Sequence, residues 1–187
     1  MNITISASAL ERANNALRHI SGAFPRSVAR SVNRTMDGMR ADMTKETKER
    51  YFVNASDVRR TLSFRKAQPG NLLGTVMSKG KRRSLADYNL TPRRPTPGKR
   101  SALKGAVKRE GGLKSLGPAF LVKRAGGKYF PFYRIGKGKW KMNSLKSPAI
   151  PQIIKNDETV KAMEKGAEER FSKRLDHEVM RLLGVLP

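Results

Sequence analysis

The sequence predicts an α+β fold: two N-terminal helices, a small and mostly antiparallel β-sheet with a long basic loop or arm, and a long C-terminal helix. Apolar residues recur at steps of three and four in the first 53 residues and again after residue 156, which is the spacing of an amphipathic helix. Between these regions, short runs of β-branched and aromatic residues alternate with turns rich in glycine and proline. At 187 residues, the chain is expected to form a single domain.

Residues 1–53 are predicted to form two helices. Gly22 ends the first helix, because glycine adopts the left-handed conformation that often terminates helices. The second helix begins near Pro25, since proline is tolerated in a first helical turn, and extends to about Arg50. Its apolar positions follow at helical spacing and are expected in the core: Val28, Val32, Met36, Met39 and Met43.

Residues 54–146 are predicted to be rich in β-structure. A short helix after Asn54 comes first, and two strands then flank a turn at 68–71. From residue 118 onward, three further strands are expected to form an antiparallel meander. Pro131 falls in the middle strand of this meander and is expected at a sheet edge or a bulge, because proline has no backbone N–H to donate.

The segment at about 79–115 is predicted to be a long basic loop or arm. Residues 79–146 carry 20 basic and 2 acidic side chains, and three prolines within 92–97 prevent a helix and disfavour a central strand. So basic a segment is expected to be ordered by a partner or to remain mobile. The residues predicted to contact that partner are Lys79, Lys81, Arg82, Arg83, Arg93, Arg94, Lys99 and Arg100.

Residues 147–187 are predicted to form an extended connector at 147–151 followed by a long C-terminal helix. Asn156 or Asp157 caps the helix, and Gly184 ends it. Its apolar line is Val160, Met163, Ala167, Phe171, Leu175, Val179 and Leu182.

The net charge of +25 indicates a polyanionic partner, with nucleic acid the first candidate and an acidic protein surface the second. Aromatic residues between 129 and 140 could stack on bases, but their alternation favours packing within the sheet. An anionic membrane ranks third and is not expected as a partner, because the basic residues do not lie opposite a strong apolar helical face. No apolar run approaches the roughly 18 residues of a spanning helix. The N-terminus also lacks the pattern of a signal peptide.

No catalytic, cofactor or metal site is expected. The chain has no cysteine, and neither His19 nor His177 has a second ligand at metal-binding spacing. A metal-dependent nuclease could use Asp157 and Glu158, although their position at the start of a helix favours a capping role.

Five runs occur in a characteristic order: YFVNASDVRRTL at 51–62, GPAFLV at 117–122, SPAIPQ at 147–152, ERF at 169–171 and LDHE at 175–178. Together they resemble the phage minor tail protein Z family over essentially the whole chain. The proline-rich stretch at 91–100 is the part that matches this family least well.

The resemblance implies a structural virion protein, present in the host cytoplasm during assembly, that completes the head-proximal end of the tail. It implies tail and neck assembly, head–tail joining, and a homo-oligomeric ring, expected to be a hexamer, around the DNA channel. The implied partners are the tail terminator, the tail tube or the head–tail connector, together with contact to the backbone of phage DNA. It implies no catalytic residues.

A different function is also compatible with the charge of the chain. A free nucleic-acid-binding protein without sequence specificity, of the ribosomal or nucleoid type, would bind bulk nucleic acid and lose it in salt.

Overall fold

A computed structural model describes residues 7–95, 102–136 and 141–185. The α-helices in these ranges are α1 (Ala7–Leu17), α2 (Ala23–Arg50), α3 (Ala55–Thr61), α4 (Ile150–Ile154) and α5 (Asp157–Leu182). The strands are β1 (Leu62–Arg65), β2 (Thr75–Ser78), β3 (Asn89–Thr91), β4 (Lys104–Ala106), β5 (Lys114–Ser115), β6 (Phe120–Lys123), β7 (Tyr129–Arg134) and β8 (Met142–Ser144). A 3-10 helix spans Leu85–Asp87. The predicted α+β class is therefore confirmed.

The two long helices, α2 and α5, pack against each other in antiparallel directions. The direction follows from three ion pairs along their length: Arg30 with Glu178, Asp42 with Arg170, and Arg50 with Glu158. These pairs are partly exposed, and such pairs contribute only about 0–1 kcal/mol each. Burying large apolar side chains contributes about 1.5–3 kcal/mol each, so the apolar contact between the helices dominates their association.

The buried residues form two clusters along this helix pair. The larger cluster joins Met39 and Met43 of α2 to Met163 and Ala167 of α5, and it extends to the strands and to α4. The smaller cluster lies nearer the N-terminus, where α1 packs against the other half of the pair. Its buried residues are Ala9, Ala13, Val28, Phe171 and Leu175.

The strands form three small antiparallel sheets rather than one. β1 pairs with β2, β4 lies between β3 and β5, and β7 lies between β6 and β8. The first hairpin and the later meander lie where the sequence predicts them, and the last described strand spans Met142–Ser144. Residues 139 and 140 of the predicted strand lie outside the described residues. The connector also differs from prediction, because Ile150 already begins α4 and Pro151 occupies its first turn.

The described part of the segment 79–115 differs from the predicted basic loop. It contains the 3-10 helix and the sheet of β3, β4 and β5. Four apolar side chains within it are buried in the larger cluster: Leu85, Tyr88, Leu90 and Leu103. Their burial stabilises this segment although most of its charged side chains lie at the surface. The average composition of the segment does not reveal these four residues, because many cations surround them in the sequence. Lys99 and Arg100 lie outside the described residues.

Pro131 is buried in the central strand β7, so the prediction that it lies at an edge or bulge was wrong. Its carbonyl accepts a hydrogen bond from the Leu145 N–H at 2.9 Å. The Leu145 carbonyl accepts instead from the Leu85 N–H at 3.0 Å. Leu85 therefore supplies the N–H that Pro131 lacks. The Leu145 carbonyl has a hydrogen-bond partner although it lies opposite a proline, so the strand tolerates Pro131.

Replacing Leu175 tests the contact between the long helices. Leu175 is fully buried, so Leu175→Ala should lower the free energy of unfolding by about 2–5 kcal/mol through lost burial and a residual cavity. Leu183→Ala is the matched control, because Leu183 near the end of the same helix is 46% exposed. Chemical denaturation followed by circular dichroism measures both, and equal effects would contradict the proposed packing.

Candidate interaction surfaces

Three of the basic residues predicted to contact a partner follow directly after β2. The Lys79 N–H donates to the Thr61 carbonyl at 2.8 Å, which continues the pairing of the first hairpin by one residue. The side chains of Lys79, Lys81 and Arg82 are exposed. The hairpin therefore fixes the backbone at one end of this group and leaves its charges accessible.

Arg83 differs from its basic neighbours, because its charge is paired inside the protein. Its guanidinium lies 2.8 Å from Asp57 of α3 and 3.5 Å from Asp87 of the 3-10 helix. Burial alone would lower the pKa of Arg83, but the hydrogen bond and the charges of these carboxylates raise it above its ordinary value. Arg83 thus joins α3 to the 3-10 helix, and two carboxylates of the chain itself share its charge.

Arg93 and Arg94 are exposed and follow the end of β3. These two residues follow a strand of the three-stranded sheet, whereas Lys79 follows a strand of the two-stranded hairpin. The basic residues predicted as one site are therefore carried by two different sheets.

A second basic cluster was not predicted. Lys45 and Lys48 of α2, Arg59 of α3 and Arg109 line an open cleft of about 500 Å³. No motif could indicate this cluster, because its members come from three segments that only the fold brings together.

An apolar cavity of about 440 Å³ lies between α2, the first hairpin, α4 and α5. Its lining includes Val32, Met36 and Phe171, and Leu73 at the cavity is 69% exposed. Gly74 packs closely against α2, since a Cβ there would lie 2.3 Å from the Met36 sulfur. The lining is predominantly apolar and contains neither histidine nor carboxylate among the described residues, so it offers no pair of groups for acid–base chemistry.

Most of the described aromatic residues of the meander pack at least partly within the protein, as the alternation predicts, although Tyr133 is 37% exposed. Phe132 is buried, and Phe130 is half-buried with Lys128 Nζ lying 5.8 Å from its ring centroid. Trp140 lies outside the described residues.

Asp157 and Glu158 lie in the first turn of α5, where the helix dipole favours negative charge. Glu158 also pairs with Arg50 of α2. Within the described ranges, no three histidine or acidic side chains are grouped as a metal site would need. No helix in those ranges is both long and apolar enough to span a bilayer.

A family model described as prophage minor tail protein Z matches residues 8–186. No curated protein and no solved structure matches the chain. The match spans both long helices, the three sheets and all the surfaces described above.

Variants of the neighbouring residues Arg82 and Arg83 test which of the two side chains contributes to the stability of the fold. Arg83→Gln should lower the free energy of unfolding by about 1–3 kcal/mol, because it leaves the half-buried Asp57 without its partner and leaves Asp87 paired with Lys128 alone. Arg82→Gln removes the same charge from an exposed side chain and should change stability by less than about 0.5 kcal/mol. Thermal and chemical unfolding measure the difference, and similar values for both variants would contradict the pairing.

Proposed function

Because the chain belongs to the family of prophage minor tail protein Z, we propose that it completes the head-proximal end of a phage tail and mediates tail and neck assembly and head–tail joining. The single observation that carries this proposal is the family match over residues 8–186. The family description itself supports a structural role in the tail, and hence a place in the virion. The position at the head-proximal end is our extension of it.

In this proposal the protein forms a homo-oligomeric ring, expected to be a hexamer, around the DNA channel. A closed ring needs a heterologous contact, in which one surface of each subunit meets a different surface of the next. The net charge of +25 supports a position beside a polyanion, whether this is DNA in the channel or an acidic neighbouring protein. Tail terminator, tail tube and head–tail connector are the neighbours proposed.

The basic residues proposed to meet these partners are the exposed members of the predicted set: Lys79, Lys81, Arg82, Arg93 and Arg94. Lys99 and Arg100 are included because they continue the same basic sequence. Arg83 is left out, since two carboxylates of the chain itself neutralise its charge.

A free nucleic-acid-binding protein would use the same exposed cations, so charge alone does not separate the two functions. The family match supports the tail role, because it extends over both long helices and is not confined to the basic segment. The same match supports a structural protein over a nuclease.

Antibody-gold labelling of intact phage and of isolated tails tests the proposed position. Label confined to the head-proximal end of the tail is expected. Accessible epitopes with no label on either particle, despite protein in the infected cell, would overturn the proposal in favour of the free nucleic-acid-binding protein.

Neutralising the basic loop tests its part in assembly. A variant with Arg93, Arg94, Lys99 and Arg100 replaced by Gln should fold normally and lower the yield of infectious particles at least about tenfold, because charge contacts guide association. The matched control replaces the exposed Lys161, Lys165, Lys173 and Arg174 of α5, which removes the same number of charges, and should assemble normally. Normal yield from the loop variant would remove these residues from the mechanism.

A further inference from the structure

Four cations from three separate segments line one open cleft beside the C-terminal end of α2. Lys45 and Lys48 belong to α2, Arg59 to α3, and Arg109 follows β4. Among the described lining residues Glu49 is the one carboxylate, and it lies 4.0 Å from Lys45. The cleft therefore keeps an excess of positive charge after this pair is counted.

The most constrained of these cations is Arg109. Its backbone N–H donates to the Arg50 carbonyl and its side-chain Nε to the Lys48 carbonyl, each at 2.8 Å. Its guanidinium also lies 4.7 Å from the centroid of the Phe52 ring. These contacts hold the side chain through Nε and through the face of its guanidinium. An arginine held in this way loses little conformational entropy when it binds a phosphate.

The uncharged lining of the cleft favours nucleic acid over a protein partner. It consists of small side chains, namely Ala41, Thr44 and Ala55. None of the large exposed apolar residues of the described chain, such as Leu73 and Met77, lines the cleft. Protein interfaces usually have an apolar or aromatic centre, whereas contact with a phosphodiester backbone needs only charge and hydrogen-bond donors.

We propose that the cleft of Lys45, Lys48, Arg59 and Arg109 binds the phosphodiester backbone of nucleic acid without sequence specificity. The site is distinct from the basic residues at 79–100. It does not depend on where the protein lies in a tail, so it can be tested with the isolated chain.

The test measures binding of a short fluorescent DNA duplex to the purified full-length protein by anisotropy at several salt concentrations. The cleft variant carries Lys45→Gln, Lys48→Gln and Arg59→Gln, and it retains Arg109 because that side chain also holds the backbone. Each phosphate contact contributes about one unit to the slope of log affinity against log salt. The cleft variant should therefore lose about three units of slope and about tenfold or more in affinity at physiological salt.

The matched control carries Lys161→Gln, Lys165→Gln and Lys173→Gln on the exposed face of α5 and changes the net charge by the same amount. It should keep its affinity within about threefold, because those residues are outside the cleft. Equal losses in the two variants would show that binding follows net charge alone, and would overturn the proposal.

A second measurement does not require a variant. Acetylation of lysines, read by mass spectrometry, should be slowed by DNA at Lys45 and Lys48 and unaffected at Lys161 and Lys165. Unchanged acetylation at Lys45 and Lys48 would overturn the proposal. It would also be overturned if the cleft variant bound DNA normally but lost binding to polyglutamate, because the cleft would then suit an acidic protein.

Discussion

The antiparallel contact between α2 and α5 is the constraint on which the rest of the structure depends. Each helix is about 40 Å long and too polar to be stable alone, so its stability comes from burying one face against the other. Met163 and Phe171 of α5 are buried along this contact. The sheets are small, and a two- or three-stranded sheet needs a packed face to be stable. The larger core cluster joins Leu62 of β1 and Leu90 of β3 to Met39, Met43 and Met163, so the helix pair provides part of that face.

The sequence predicts the long helices well because their apolar spacing repeats over several turns, and it predicts the first hairpin and the meander from their turns. It fails where long-range contacts decide the outcome. Leu85 and Leu103 are buried by side chains distant in sequence, and Pro131 is accommodated because Leu85 supplies a donor to Leu145. The cleft that contains Arg109 could not be predicted either, since its cations span residues 45–109 and share no local pattern.

The structure separates cations that hold the fold from cations that remain available to a partner. Arg83 is neutralised between Asp57 and Asp87, and other cations lie over aromatic rings, as Arg40 does over Phe64 at 5.2 Å. Such contacts place charge against the negative face of a ring, which offsets part of the repulsion within a strongly basic chain. Net charge alone therefore overstates how many basic residues a partner can meet.

Thr91, the last residue of β3, pairs with Lys104, the first residue of β4, so the two ends of the connection between these strands lie side by side. Leu90 and Leu103 lie next to these strand ends and are both buried, so they hold the two ends of the connection in the core. The register of the sheet is thus independent of how many residues connect the two strands. The entropic cost of a longer connection grows only logarithmically with its length. A variant with a longer connection should therefore keep this strand pairing and the two long helices, while the basic residues at 93–100 that are proposed to meet a partner would be displaced.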